Sequence, residues 1–162
     1  MTYYFAYGSN LNKEQMLEKR CHSAKLVGTA MLKGYELIFK KSQTGYYFSV
    51  RKAAGGVVPI GVWEITKKDE KRLDRFEGCP DYYKKYTLEL DVKRMDGETE
   101  KLSGIIYILP EKNATGNPKD DYVNRCRKGF EEFGFDQKFI DDALTRTKEE
   151  AAARKAESKI NE

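Results

Sequence analysis

Histidine is almost absent from this 162-residue chain, which contains only His22. One histidine argues against a metal site built on several imidazoles and against a Ser-His catalytic pair. Cysteine is also scarce, and Cys21, Cys79 and Cys126 are scattered without a C-x-x-C pair. This pattern does not indicate a disulfide framework or a zinc site. We therefore expect a protein that binds no metal.

Long apolar runs are missing as well, and no segment has the length or composition of a membrane span or a secretory signal. The 30 basic and 26 acidic residues give a net charge of +4 and are mixed along the chain rather than grouped in blocks. A nucleic-acid-binding protein would need a basic face or stripe. We expect a cytoplasmic protein with reduced thiols that binds neither nucleic acid nor a membrane. Its oligomeric state, monomer or homodimer, stays open.

The chain contains enough apolar residues, 40% of the total, to build one hydrophobic core. Short apolar and aromatic segments predict about six strands, with helices between and after them, which is an α+β domain. The predicted strands are 3–7, 25–31, 35–40, 46–50, 57–65, 86–94 and 101–109. A turn at Asp96-Gly97 joins the last two strands into a hairpin. A loop is predicted at 53–56, and a bend or bulge is predicted at Pro59 and Gly61.

Capping residues predict where the helices begin and end. Thr66 with Asp69 starts a helix that ends at Gly78, and Asn117 with Pro118 starts one that ends at Gly134. A short helix is predicted over 13–20. Asp136 caps a last helix, anchored by Phe139, Ile140 and Leu144. Beyond Thr147 that helix has almost no apolar face and is expected to be solvated and to fray. The sequence is thus divided into a domain, 1–135, and an appended C-terminal helix, 136–162.

The segment Gly8-Ser9-Asn10 stands between the first predicted strand and a helix that Asn12 caps, with Gln15 three residues later as in a capping box. Backbone N–H groups at a helix N-terminus attract anions. Gly8 has no side chain to hinder a ligand and can adopt backbone angles closed to other residues. Two interpretations stay open here, an anion-binding loop and a plain tight turn.

Glu77 is the candidate catalytic residue. It follows Leu73 by one helical turn, and Leu73 and Phe76 are the apolar positions of this helix, so Glu77 lies on or beside the buried face. It also lies in the last turn, where the helix dipole disfavours an anion. Burial and the dipole both raise the pKa of a carboxyl group, as a general base near neutral pH requires. The alternative is a surface carboxylate at a helix end.

Three segments resemble the γ-glutamylcyclotransferase-like family, which includes the γ-glutamylamine cyclotransferases and the plant avirulence-induced proteins. The first is Phe5-Ala6-Tyr7-Gly8-Ser9-Asn10-Leu11. The second and third are Gly61-Val62-Trp63-Glu64-Ile65 and Leu73-Asp74-Arg75-Phe76-Glu77-Gly78. The resemblance covers roughly residues 2–133 and implies a small mixed β-barrel flanked by helices.

The resemblance also implies roles for individual residues. Glu77 matches the general acid/base of the family, while Glu64 and Asp74 are lesser candidates. We expect Asp74 to face solvent or bind backbone. The implied substrate-binding residues are Tyr7, Gly8, Ser9, Asn10, Leu11, Tyr83 and Tyr122. Tyr122 lies in 117–122, which departs from the family pattern by one extra residue and by Lys for Ser, so a core aromatic is an equal alternative for it.

The implied activity is cyclisation of the γ-glutamyl group of a small amide or dipeptide to 5-oxoproline, with release of an amine or amino acid. The chemistry requires neither metal nor cofactor. Two alternatives stay open within the resemblance: a γ-glutamylamine cyclotransferase, and an enzyme that removes a γ-glutamyl group from a biosynthetic intermediate. A third alternative is a non-catalytic module that binds a small molecule.

Overall fold

The five strands form a closed barrel in the order β1-β3-β2-β4-β5. The computed structural model describes residues 1–160. The strands are β1 Thr2–Ala6, β2 Lys25–Lys41, β3 Tyr46–Ile65, β4 Lys84–Arg94 and β5 Thr99–Ile108. All pairs are antiparallel except β1 with β5, which closes the barrel through Tyr4 and Ile105. The expected mixed barrel is therefore confirmed, as is the hairpin of β4 and β5.

Strands β2 and β3 form a long hairpin, where the sequence predicted separate short strands. Strand β3 runs through 53–56 without stopping, so the loop predicted there is wrong. This segment lies at an irregularity, because Lys33 pairs with Val57 whereas Tyr35 pairs with Lys52. Pairing on both sides holds the chain in the sheet. Gly34 and Gly55 both have positive φ, which allows the distortion.

The bulge predicted at Pro59 and Gly61 is also wrong. Pro59 pairs with Met31 and Gly61 with Thr29 in continuous register. One register shift lies on β2 at Leu26/Gly28, and the other is the irregularity between Lys33 and Tyr35 just described. The tight packing of Gly61 explains why it is glycine, since a Cβ there would lie 2.4 Å from Leu11 Cδ2.

Among residues 1–160, five helical segments accompany the barrel, and their bounds differ in part from those predicted. They are a 3-10 turn Ser9–Leu11, a π-helix Gln15–Arg20, and helices α1 Lys67–Glu77, α2 Asp120–Phe133 and α3 Lys138–Ile160. The capping box of Thr66 and Asp69 is present, and Gly78 ends α1 in the left-handed conformation. Both predictions are confirmed.

Helix α2 starts later than the sequence predicted. Lys119 is its N-cap residue, so the cap assigned to Asn117 and Pro118 is wrong. The preceding segment is held against the barrel, because Thr115 bridges to Lys40 and the Gly116 N–H donates to the Phe39 carbonyl. The chain therefore stays extended up to residue 119. The end of α2 at Gly134 is as predicted.

Helix α3 packs on the barrel through its first half. The Asp136 side chain accepts a hydrogen bond from Lys138 N, which confirms the predicted cap, and Ile140 is fully buried. The helix continues beyond Thr147 through Ile160, where we expected fraying. Glu150 there forms an ion pair with Arg51. Residues 161–162 of the predicted C-terminal segment lie outside the described residues, and its division from 1–135 stays a prediction.

Helix α2 also supports the segment that follows β1. A Cβ on Gly129 would lie 2.6 Å from Asn12 N and 2.7 Å from Leu11 C, so the two backbones are in close contact at this point. The position of α2 thus bears directly on the segment that contains Gly8-Ser9-Asn10. Among the described helices, none is both long and apolar enough to cross a membrane.

We predict that Gly129→Ala lowers the free energy of unfolding by about 1–3 kcal/mol, because the added methyl group overlaps the backbone at Leu11 and Asn12. Helix propensity acts in the opposite direction, favouring alanine by about 1 kcal/mol. The measurement is urea unfolding, with the exposed neighbour Lys128→Ala as control. A more stable Gly129→Ala protein would show that the backbones are not in contact.

Candidate active site

One small cavity of about 50 Å³ brings together most of the predicted site residues. Its lining residues are Tyr4, Phe5, Tyr7, Gly8, Ser9, Asn10, Phe48, Glu77, Tyr83, Tyr107 and Tyr122. Seven of these were predicted from the sequence. Leu11 is the predicted residue that the structure places elsewhere, since its side chain is fully buried in the core and packs near Gly61. Its position follows from the 3-10 turn, which directs Leu11 away from the cavity.

The loop after β1 presents backbone donors to the cavity. Within residues 1–160, the N–H groups of Gly8, Ser9 and Asn10 donate to no protein acceptor, whereas the N–H of Leu11 bonds to the Gly8 carbonyl. Unpaired donors on consecutive residues can bind an anion or a carbonyl oxygen. Gly8 has φ −124°, so it is not in the left-handed conformation.

The side chain of Asn10 fixes this loop. It is buried, its Nδ2 donates to the Tyr4 hydroxyl at 2.9 Å, and its Oδ1 accepts from Gln15 Nε2 at 2.9 Å. The Asn10 carbonyl accepts from Trp63 Nε1 at 3.2 Å. Gln15 Nε2 also donates to Ser9 Oγ at 2.8 Å. Buried polar groups that are satisfied in this way hold a unique geometry.

The predicted helix cap at Asn12 is present, but in a modified form. Asn12 Oδ1 accepts from Gln15 N at 3.0 Å, as an N-cap side chain does. The Gln15 side chain does not return to the Asn12 N–H as in a capping box, because it is used on Ser9 and Asn10. The segment that follows is a π-helix rather than an α-helix.

Glu77 is the last residue of α1, and its half-buried carboxyl group faces the cavity. Among residues 1–160, no donor forms a hydrogen bond with this carboxyl group. Burial raises its pKa from 4.5 to about 7, and the positive charge of Arg20 opposes part of the rise. Its position at the C-terminal end of α1 further disfavours the anion. A carboxyl group with this pKa can both accept and donate a proton at neutral pH.

Phe76 differs from the prediction, because it does not share the buried face of α1 with Leu73. Leu73 is fully buried, whereas Phe76 is 51% exposed. The Arg20 guanidinium carbon lies 4.1 Å from the centroid of the Phe76 ring, the geometry of a cation–π contact. Phe76 therefore supports a cation beside Glu77 instead of contributing to the core.

Five tyrosines form most of the remaining wall. Tyr7 donates to the Tyr107 carbonyl, and Tyr83 donates to the Phe48 carbonyl at 2.8 Å. Tyr122 accepts from Phe48 N at 3.1 Å while also lining the cavity, so it is both a core aromatic and a pocket residue. Burial raises the pKa of each of the five phenols, those of Tyr4, Tyr7, Tyr83, Tyr107 and Tyr122.

Four cavity residues were not predicted from the sequence: Tyr4, Phe5, Phe48 and Tyr107. Each lies in a correctly predicted strand, but a strand pattern does not show which end of a barrel a side chain occupies.

Tyr107 is held by Asp74, whose Oδ1 accepts a hydrogen bond from the Tyr107 hydroxyl at 2.6 Å. Asp74 also pairs with Lys85 at 3.0 Å. The Asp74 side chain is partly exposed, at 27%, but its carboxylate binds two side chains rather than backbone, where we expected it to face solvent or bind backbone.

The family is shown by comparison with known proteins. A family model described as gamma-glutamyl cyclotransferase, AIG2-like, matches residues 4–124, and the chain therefore belongs to that family. No curated protein sequence matches the chain significantly.

Solved structures agree with this assignment. One described as a gamma-glutamyl cyclotransferase is 25% identical, with a TM-score of 0.72 over 88% of this chain and 85% of that chain. YkqA of Bacillus subtilis is 22% identical, with a TM-score of 0.71 over 91% of this chain and 54% of that chain. A yeast gamma-glutamyl cyclotransferase specific to glutathione is 10% identical, with a TM-score of 0.58 over 91% of this chain and 96% of that chain. The latter two show likeness of fold alone.

The raised pKa of Glu77 leads to a prediction about stability. Because the folded protein binds this proton more tightly than the unfolded chain, the resulting stability is full below about pH 4.5 and is lost as pH rises through about 7. Relative to Glu77→Gln, the wild type is expected to lose up to about 3 kcal/mol of unfolding free energy over this range. Urea unfolding at several pH values measures the difference. Glu64→Gln, outside the cavity, is the control. A difference independent of pH would contradict the prediction.

Proposed function

We propose that this protein is a γ-glutamyl cyclotransferase that converts the γ-glutamyl group of a small amide or dipeptide to 5-oxoproline and releases an amine or amino acid. The observation that supports this most directly is that Glu77 lines the same cavity as Gly8, Ser9 and Asn10, whose N–H groups have no protein acceptor within residues 1–160. Family membership supports the same class of reaction.

The cavity would bind the substrate in a curled conformation. The α-amine must reach the γ-carbonyl carbon of its own side chain, and a small cavity restricts the chain to such conformers. The three loop N–H groups would hold the substrate carboxylate or the carbonyl oxygen. Closing the substrate against the tyrosine wall would displace water and strengthen these polar contacts.

Glu77 would carry the protons. Its ionised form accepts a proton from the α-ammonium group, and the freed amine attacks the γ-carbonyl carbon to form a tetrahedral intermediate. Glu77 returns this proton to the leaving nitrogen as the amide C–N bond breaks and the five-membered lactam forms. The attacking nitrogen also loses its second proton, which ends on the released amine. The products are 5-oxoproline and the free amine, so no water, metal or cofactor is consumed. A pKa of about 7 suits both steps.

The direct test is release of 5-oxoproline from a panel of γ-glutamyl amines and γ-glutamyl dipeptides incubated with the purified protein. Release from at least one substrate supports the proposal. Binding without release from every substrate would instead indicate a non-catalytic binding module.

We predict that Glu77→Gln lowers the rate of 5-oxoproline release by about 10²–10⁴-fold, because glutamine cannot transfer the proton. The variant should keep its fold, measured by circular dichroism, and its affinity for a non-hydrolysable γ-glutamyl analogue. Glu64→Gln is the matched control and should retain activity. A near-normal rate for Glu77→Gln would remove Glu77 from the mechanism.

We predict that Gly8→Ala stays folded but loses about tenfold or more of its affinity for the same analogue. The added Cβ would lie 3.3 Å from the Tyr122 hydroxyl and 3.4 Å from Phe48 Cβ, a tight position that does not overlap the backbone. It would, however, stand beside the N–H groups that face the cavity. Calorimetric titration measures the affinity.

The matched control for that experiment is Gly45→Ala. A Cβ there has its nearest contact at 3.8 Å, on the Tyr47 hydroxyl, so no change in affinity is expected. Unchanged affinity in a folded Gly8→Ala protein would mean that the loop after β1 is only a turn.

A further inference from the structure

Two arginines lie beside the cavity without a carboxylate partner. Arg20 ends the π-helix and stacks on Phe76, and the guanidinium carbon of Arg125 lies 6.0 Å from the centroid of the Tyr122 ring. Within the described part of the chain, neither arginine takes part in an ion pair. Unpaired guanidinium groups next to a cavity can bind an anionic ligand.

Arg20 lies close enough to Glu77 for their charges to interact. Burial lowers the pKa of Arg20, the charges of Glu77 and Tyr4 raise it, and the charge of Arg125 has a smaller lowering effect. Since Arg20 forms no ion pair within residues 1–160, its guanidinium group can bind a carboxylate of a ligand placed beside Glu77.

The position of Arg20 indicates which part of a substrate it would contact. Glu77 must reach the leaving nitrogen to protonate it, so the leaving group lies next to Glu77. Phe76 precedes Glu77 and supports Arg20, which itself is not part of the cavity wall. Arg20 therefore lies outside the enclosed space but near Glu77, beside which the leaving group would lie. The N–H groups of Gly8, Ser9 and Asn10 would bind the γ-glutamyl end of the substrate within the cavity.

We propose that Arg20, assisted by Arg125, determines specificity by binding a carboxylate on the leaving group. This inference rests on the proposed function. Binding of this carboxylate by Arg20 would make γ-glutamyl amino acids or peptides better substrates than γ-glutamyl amines. The planar guanidinium matches a carboxylate with two parallel hydrogen bonds, and stacking on Phe76 fixes its plane. The exposure of Phe76, unusual for a large aromatic side chain, is then explained.

The test compares kcat/KM for γ-glutamyl-alanine and γ-glutamyl-alaninamide, which differ only in replacing the carboxylate by a neutral amide. The wild type should prefer the carboxylate by about 10- to 100-fold, the loss expected for a charge-assisted hydrogen bond. Arg20→Gln should abolish this preference by slowing γ-glutamyl-alanine alone. Arg20→Lys, which keeps the charge but not the planar geometry, should retain part of it.

Two further variants complete the design. Lys128→Gln removes one exposed positive charge from α2 and should leave the preference unchanged. Phe76→Leu removes the surface on which Arg20 stacks and should reduce the preference. Because Phe76 is exposed, this variant keeps the test valid even if Arg20→Gln fails to fold.

The outcomes separate this inference from the proposed function. Equal kcat/KM for the two substrates in the wild type, or an equal loss for both in Arg20→Gln, would overturn the role of Arg20 and leave the cyclotransferase intact. Absence of 5-oxoproline from both substrates and from the wider panel would overturn the proposed function, and this inference with it.

Discussion

The buried side chain of Asn10 is the constraint on which the site depends. Its amide joins Tyr4 on β1 to Gln15 on the π-helix, and its carbonyl receives the indole N–H of Trp63 on β3. A short polar side chain thereby ties three elements to one loop. These bonds leave the backbone N–H groups of Gly8, Ser9 and Asn10 without a protein acceptor within residues 1–160, on a loop that lines the cavity. Glu77 can act together with this loop only while these bonds hold the loop in place.

Local chemistry made part of this structure predictable. The cap at Thr66, the end of α1 at Gly78 and the hairpin turn at Gly97 depend on residues within a few positions of one another, and all three are present. The same holds for Glu77, whose place at the end of α1 follows from the helix bounds alone. The barrel was predicted from the segments that resemble the family, because the periodicity of single strands does not show whether a sheet closes into a barrel.

The predictions from sequence were wrong where contacts between residues far apart in the chain determine the structure. Pairing of Lys52 and Val57 with β2, on either side of 53–56, holds that segment in the strand, and contacts of 115–116 with the barrel delay α2. Neither partner is near in sequence. Phe76 occupies an apolar position of its helix, yet Arg20 covers it from another element. Tyr107 enters the cavity because β5 closes the barrel beside β1, which no single strand pattern reveals.

The composition of the cavity wall has a consequence for how the site responds to protons. Five phenols line it, and burial raises the pKa of every one, so they stay neutral throughout the range in which Glu77 titrates. Among the residues that line the cavity, Glu77 is therefore the one whose protonation changes near neutral pH. The charge of the lining changes by one unit when Glu77 ionises. Proton uptake or release measured on ligand binding in that range would report one carboxyl group, without a tyrosinate contribution to subtract.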